Sequence, residues 1–502
     1  MAGKVYLVGA GPGDPELLTL KGKRALEQAD VVVYDRLANP RLLEHARPDA
    51  ERVYVGKESQ RHPVPQPDIT ALVVERARAG LTVCRLKGGD PFIFGRGGEE
   101  AEALAAAGIE WEYVPGVTSA VAVPGYAGIP VTYRGLCATF AVVTAHEDPT
   151  KGPSTIRWEQ LAGSADTMLF MMGAERLPLI VENLLRHGRA PETPAAVVSQ
   201  GSHPTQRVIS GTLGTLLERC RAVNSELSEL APAVVVVGEV ARLRERLRWW
   251  DNRPLFGKRI VVTRPREQAE GLVEVLAQEG AEPILCPTIR IQPIPDPDLR
   301  GLDRGYDWVV FTSVNGVYSV ANALRVAGGD IRRLGSARIA AIGPGTAHAA
   351  EAAGLRVDFI PSRFVAEQVA EEFPEPVAGL RVLIPRAREA REVLPEVWRS
   401  QGAEVDVVPV YESVSDSSGF AELRQRLAEG GVDAVTFTAS STVRNFAREI
   451  APSELGRAAV VCIGPITAEA ARAHRFPVDA VAEPYTIPGL VATLRRLFLG
   501  NE

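Results

Sequence analysis

Asp35 and Lys57 each stand where a β-rich run gives way to polar residues, in VVVYDRLANP and RVYVGKES. A third apolar run, LTVCRL (Leu81 to Leu86), leads into KGGDPFIFGRGGEE. Gly88 and Gly89 allow positive φ and keep side chains away from a ligand, while Asp90-Pro91 fixes a turn that carries one carboxylate. Gly95, Gly97 and Gly98 repeat that freedom ahead of a helical pattern from Glu99 to Ala107, and Lys87 and Arg96 flank the stretch as cations. One such feature alone is an ordinary turn. Several together describe a ligand held against backbone, with ionic groups at neighbouring strand ends, which is where open α/β sheets bind.

Hydrophobic periodicity sets the strands and helices around these residues. KVYLVGA (Lys4 to Ala10) reads as a strand, GPGDP as its loop, and Leu17 to Ala29 as a helix. The Rossmann fingerprint needs a glycine three positions after Gly11, and Asp14 stands there. Gly11, Pro12 and Gly13 therefore form a different backbone cradle. Gly56 to Asp68 is a polar, proline-interrupted loop able to fold over a site. Trp111 to Val114 is a further strand leading into PGVTSA, where Thr118 and Ser119 either cap a short helix or meet a ligand. TFAVVTAHE, TMLFMMG, PAAVVSQG and PAVVVVGEV supply more strands, with a helix pattern from Arg176 to His187, so a second α/β layer and a cleft between the two layers are expected.

A chain of 502 residues exceeds one hydrophobic core. The five cysteines lack any CxxC spacing and the seven histidines show no ligand pattern, so the cysteines read as core residues and no metal is expected. The net charge of -6 argues against a nucleic-acid surface. The first residues contain no long apolar segment and no run reaches a membrane span, so a cytoplasmic protein is expected. ARLRERLRWWDNRPLFGKR (Ala241 to Arg259) reads as a short connection. Beyond it the chain repeats: the run from Arg259 answers that from Arg381, FTSVNGV answers FTASSTV, and IAAIGPGTAHAAEAAG answers VVCIGPITAEAARAHR. Two similar α/β lobes with a ligand gap between them follow. Thr312, Ser313 and the GPGT turn at Gly343 lie at strand-to-helix corners, with Arg264, Arg266, Arg386, Arg388 and Arg391 at comparable corners. Exposed amides and guanidinium groups there suit a polyanion.

VYLVGAGPGDPELLTLKG, VVYDRL, VGK, RLKGGDPFIFGRGGEE, VPGVTSA and SQG followed by TQR resemble the tetrapyrrole methylase family, and within it the uroporphyrinogen-III C-methyltransferases, over Val5 to Leu247. The family often has a histidine where Tyr133 stands and a glycine where Ala145 stands. The resemblance implies S-adenosyl-L-methionine between two α/β domains, contacted by Pro12, Gly88, Gly89, Asp90, Ile93, Thr118, Ser119, Met172 and Gly201. It also implies Asp35 as proton acceptor and Lys57 as proton donor. Because the substrate has a rim of carboxylates, Arg36, Arg96 and Arg134 are candidate anchors. VTRP, YDWVVFTSVNGV, AAIGPGTA, VYESV, VTFTASSTV and CIGPITAEAA are similar to uroporphyrinogen-III synthases, over Lys258 to Leu497. That resemblance implies two flavodoxin-like lobes joined by two crossing strands, with Tyr411 assisting loss of the leaving hydroxyl. Arg264, Thr312, Ser313, Arg386, Thr438, Ser440, Ser441 and Thr467 are the expected substrate contacts.

The expected bounds are 1–133 and 134–250 for two methyltransferase domains, 251–257 for a linker, 258–287 with 414–502 for one synthase lobe and 288–413 for the other. The expected function is a bifunctional enzyme that cyclises hydroxymethylbilane to uroporphyrinogen III and methylates it twice to precorrin-2. A homodimer through the methyltransferase half is implied by resemblance. A methyltransferase for a later corrin intermediate, and a second half that only senses tetrapyrroles, stay open at this stage, as does the end product, siroheme or cobalamin.

Overall fold

The computed structural model describes residues 3–500 except 57–63, 146–154, 300, 301, 303, 304 and 391. The chain divides into two compact units, residues 1–258 with 276–282 and residues 259–275 with 283–502.

In the first unit, β1 (Lys4–Gly9), β2 (Val31–Tyr34), β3 (Glu51–Tyr54), β4 (Val83–Lys87) and β5 (Glu110–Val114) form a parallel sheet in the order β3-β2-β4-β1-β5. Parallel neighbours need crossovers, supplied by α1 (Leu20–Gln28), α2 (Gln66–Arg78) and α3 (Gly97–Ala106). Strand alternation sorts the side chains of β1 between two cores. Val5 and Leu7 pack with Ile69, Val73 and Leu104 of α2 and α3, whereas Val8 and Ala10 pack with Ala25 and Leu26 of α1. Every residue of β4 is buried, Arg85 and Lys87 included.

The helix α4 (Ser119–Tyr126) follows β5 and is N-capped by Thr118, whose Oγ1 accepts from the Ala120 amide. It starts at the first sheet, yet its Val123 sits in the core of the second. That sheet comprises β6 (Phe140–Thr144), β7 (Thr167–Met171), β8 (Pro194–Ser199), β9 (Arg207–Thr212) and β10 (Ala233–Val237), in the order β6-β7-β10-β8-β9. Only β6 and β7 pair in parallel; β10 runs against β7 and β8, and β9 against β8. Continuous apolar runs fit strands covered on both faces, and β8 and β10 are buried throughout. Each fully buried valine there stabilises the fold by roughly 1.5–3 kcal/mol.

The second unit continues with β11 (Arg259–Val262), β12 (Glu282–Leu285), β13 (Ile289–Pro293), β14 (Trp308–Phe311), β15 (Arg338–Ala341), β16 (Arg381–Ala387), β17 (Glu404–Ser415), β18 (Ala434–Phe437), β19 (Ala459–Cys462) and β20 (Ala480–Val481). They make two sheets, β12-β11-β18-β19-β20 and β13-β17-β16-β14-β15. The chain thus leaves the first sheet after β12, builds the second, and returns after β17. β13 and β17 run antiparallel from Ile289 opposite Ser415 to Pro293 opposite Tyr411. Two buried hydroxyls join the distant parts of the returning sheet: Thr263 donates to the Thr436 carbonyl and Thr436 to the Val261 carbonyl, both at 2.8 Å. The repeat read in the sequence corresponds to matching corners, β14 before the helix Val314–Val326 and β18 before the helix Ser440–Glu449. All five cysteines are buried and free. Burial pushes the Cys84 thiol up to about 12.

Candidate functional site

Three strand ends of the first sheet meet through glycine. A Cβ on Gly9 would lie 2.4 Å from the Gly116 Cα, and one on Gly116 would lie 2.2 Å from the Gly89 carbonyl oxygen, so the ends of β1, β4 and β5 close up only without side chains. The Gly11 and Gly89 amides exchange hydrogen bonds of 3.2 and 2.7 Å across the loops that follow β1 and β4. Gly89 has φ +64, and a Cβ there would lie 3.2 Å from the Ser119 Oγ. Pro12, Gly88, Gly89, Asp90, Thr118 and Ser119 therefore belong to adjoining loops around one point. Asp90 is a structural acceptor there. Its Oδ1 takes the Phe92 amide at 2.8 Å, and its Oδ2 takes the Tyr113 hydroxyl at 2.7 Å and the Gly116 amide at 3.1 Å. Ile93 and Met172 are exposed, and Gly201 is buried.

The glycines of the next turn act differently from the expectation. Positive φ falls on Phe94 and Arg96, at 54° and 59°. Gly95 and Gly97 are needed for room: a Cβ on either would come within 2.7 Å of the Pro91 carbonyl oxygen, while Gly98 faces open space.

Asp35 follows β2 and is tied into a buried ionic chain. Its Oδ2 pairs with the Arg85 guanidinium at 3.1 Å and its Oδ1 accepts from the Leu37 amide at 3.1 Å. Glu100 of α3 then holds both cations of β4, with Oε1 at 3.4 Å from Arg85 Nε and 2.9 Å from Lys87 Nζ. Burial, followed by the neighbouring Arg85 charge, lowers the Lys87 pKa. Neither Arg85 nor Glu100 was singled out from sequence. The available signal was the alternation of Arg85 and Lys87 on one face of an otherwise apolar strand, which demands a buried counter-charge. Lys57 lies outside the described residues. Arg36 and Arg134 are exposed, and the fork of Arg96 is engaged by Glu99 at 2.9 and 2.6 Å.

In the second unit a cavity of about 250 Å³ is lined by Arg264, Gln268, Asn315, Tyr411, Ser413, Thr438 and Ser441, among others. Arg264 is partly buried and makes no ion pair or hydrogen bond among the described residues. Its burial lowers its pKa. The Tyr411 hydroxyl lies 2.9 Å from the Ser313 Oγ, which also accepts from the Gly316 amide at the head of its helix. Of the remaining expected contacts, Arg386 is buried against Glu392, Ser440 donates to the Ile466 carbonyl, and Thr312 and Thr467 are half-buried and buried at their corners. None of these four lines the cavity. Gln268, Asn315 and Ser413 do line it and were not read from the sequence, because their side-chain types are common on surfaces and only the fold brings them together.

Two family descriptions match this chain: Tetrapyrrole (Corrin/Porphyrin) Methylases over residues 4–217, and Uroporphyrinogen-III synthase HemD over residues 270–492. The porphyrin biosynthesis protein HemD of Ruminiclostridium josui is 38% identical over 504 residues, covering 99% of each chain. An S-adenosyl-L-methionine-dependent uroporphyrinogen III methyltransferase of Methanosarcina barkeri is 49% identical over 49% of this chain and 94% of its own. A siroheme synthase of Pseudomonas fluorescens is 52% identical over 250 residues, and this chain spans only 53% of it.

Proposed function

We propose, for a chain that belongs to the tetrapyrrole methylase family in its first half and to the uroporphyrinogen-III synthase family in its second, that it performs two consecutive steps. The second unit cyclises hydroxymethylbilane to uroporphyrinogen III with inversion of the last ring, and the first methylates that product twice to precorrin-2. The observation that carries this reading is the presence, in one chain, of a glycine-lined junction of strand ends and of a cavity holding a guanidinium without a partner among the described residues.

The first site fits S-adenosyl-L-methionine, since backbone of three loops converges where side chains have no room. Pro12, Gly88, Gly89, Asp90, Ile93, Thr118, Ser119, Met172 and Gly201 would hold it, and when bound it supplies an electrophilic methyl group. The chain's own work is alignment of the pyrrole carbon and exclusion of water. Asp35, steadied by Arg85, takes or holds a pyrrole N–H proton; Lys57 returns one; Arg36 and Arg134, and Arg96 once it exchanges Glu99 for substrate, meet the carboxylate rim. In the second site, Arg264 anchors substrate carboxylates beside Thr438 and Ser441, and Tyr411 with Ser313 assists departure of the hydroxyl. Confinement then directs ring closure, because the cationic intermediate must be folded before water reaches it.

The bounds 1–133, 134–250, 251–257, 258–287 with 414–502, and 288–413 are part of this proposal, as are a cytoplasmic setting and a homodimer through the methyltransferase half. No helix among the described residues is long and apolar enough to cross a membrane. The test is to supply hydroxymethylbilane with and without S-adenosyl-L-methionine and to separate the products. Isomer III alone, and its dimethylated form with the cofactor, are expected. Accumulation of isomer I would refute the synthase reading, and unmethylated isomer III would refute the methyltransferase reading.

A further inference from the structure

A closed ring of hydrogen bonds joins both sheets of the first unit through α4. Asp14 ends the glycine loop after β1, and its amide donates to the Ser202 Oγ at 3.1 Å. The Ser202 amide donates to the Gln206 Oε1 at 3.0 Å, and the Gln206 Nε2 donates to the Tyr126 carbonyl at 3.3 Å. The Tyr126 hydroxyl then returns to the Asp14 Oδ2 at 2.8 Å. Ser202 and Gln206, in the turn between β8 and β9, are buried. That turn has non-glycine residues in the left-handed region, Gln200 at φ 50 and Ser202 at φ 65, which persist only where the surroundings hold them. Between them, a Cβ on Gly201 would meet the Val123 Cγ1 at 2.4 Å, so α4 is seated directly on the turn.

The segment read as a linker supplies a second layer. The Trp249 Nε1 donates to the Gly125 carbonyl at 3.0 Å and the Trp250 Nε1 to the His203 carbonyl at 3.2 Å. Both indoles pack on Tyr126, with ring centroids 5.1 and 4.7 Å away, and the Arg253 guanidinium lies 4.0 Å from the centre of Trp250. The residues after the second sheet thus pack on the end of α4 and on the β8–β9 turn.

Pro12, Ser119 and Gly201 are three of the residues assigned above to the cofactor, and they lie on the three elements that this ring joins. A ligand spanning them binds in proportion to how well their spacing is fixed in advance. We propose that Tyr126 is a positioning residue, whose hydroxyl on Asp14, backed by Trp249 and Trp250, holds the β1 loop and the β8–β9 turn at the separation at which they grip S-adenosyl-L-methionine. The inference rests on the cofactor reading above.

The test uses the full chain, unsubstituted and as Tyr126→Phe and Ser202→Ala, titrated calorimetrically with S-adenosylhomocysteine and assayed for methyl transfer. Tyr126→Phe removes one oxygen and leaves the ring against both indoles; Ser202→Ala opens the same ring at another bond and decides the matter should the first variant not fold. Loss of one hydrogen bond of the ring, charge-assisted at Tyr126 and neutral at Ser202, should raise Kd by on the order of tenfold in Tyr126→Phe and by roughly two- to tenfold in Ser202→Ala. KM for the cofactor should rise with it, while kcat at saturation stays within about twofold, the pattern of lost binding without lost chemistry. A Kd unchanged in both variants would overturn the proposal alone. So would a lower kcat with unchanged KM, and failure of the unsubstituted chain to bind would remove the cofactor reading as well.

Discussion

Arg264 and Arg386 look alike in sequence, each following a strand and preceding a helix in its repeat. The structure separates them. Arg386 is buried against Glu392, so its charge is already neutralised, whereas Arg264 lines the cavity with no partner among the described residues. A desolvated guanidinium gains most from a carboxylate that arrives with the ligand. Arg264→Gln should therefore weaken hydroxymethylbilane binding by roughly 10- to 100-fold, corresponding to about 1.5–3 kcal/mol for a hydrogen bond to a charged group. Steady-state kinetics would show this in KM; an unchanged KM would exclude Arg264 as an anchor. Residue type told which side chains could bind a polyanion. It could not tell which were already occupied, because Glu99 engages Arg96 locally while Glu392 engages Arg386 only after the loop folds back.

At the scale of elements, the strands were legible because their function in the fold is written in consecutive apolar residues. PAAVVS and AVVVV are buried strands, the run LTVCRL became a buried strand that starts two residues later and ends at Lys87, and the helix patterns before Ala107 and around Arg176 to His187 became α3 and the helix Leu177–Arg186. What was not legible is pairing between them, since Asp90 reads as a free strand-end carboxylate until β5 delivers Tyr113 and Gly116 to it. That pairing has a pH signature. Tyr113 is raised from 10.0 to about 12, through burial and then through its hydrogen bond to Asp90. Its folded pKa lies above its unfolded one, so its contribution is fully present below pH 10 and is lost as pH rises through about 12. Tyr113→Phe keeps the stacking on Phe92, whose ring centre is 4.2 Å away, and removes only the titrating group. Urea unfolding should show lower stability than the unsubstituted chain at pH 7, by roughly 1.5–3 kcal/mol for a hydrogen bond to a carboxylate. Between pH 10 and pH 12 the difference should shrink. A gap independent of pH would mean that the hydroxyl does not titrate in this setting.

For the whole molecule, two compact units with separate cores and separate sites imply two thermodynamic systems on one chain. A ligand stabilises only what it binds, by about 2.7 kcal/mol at a hundredfold excess over Kd. Scanning calorimetry of the full chain should therefore resolve two transitions. S-adenosylhomocysteine should move one of them upward and leave the other in place, and Arg264→Gln should leave the cofactor-dependent shift intact. Tyr126→Phe should reduce that shift at fixed ligand concentration, because a tenfold weaker Kd lowers the stabilisation by about 1.4 kcal/mol. One transition moving as a whole with the ligand would show that the units unfold together. The two catalytic steps would then share a folding unit, and a destabilising substitution in either site would lower both activities.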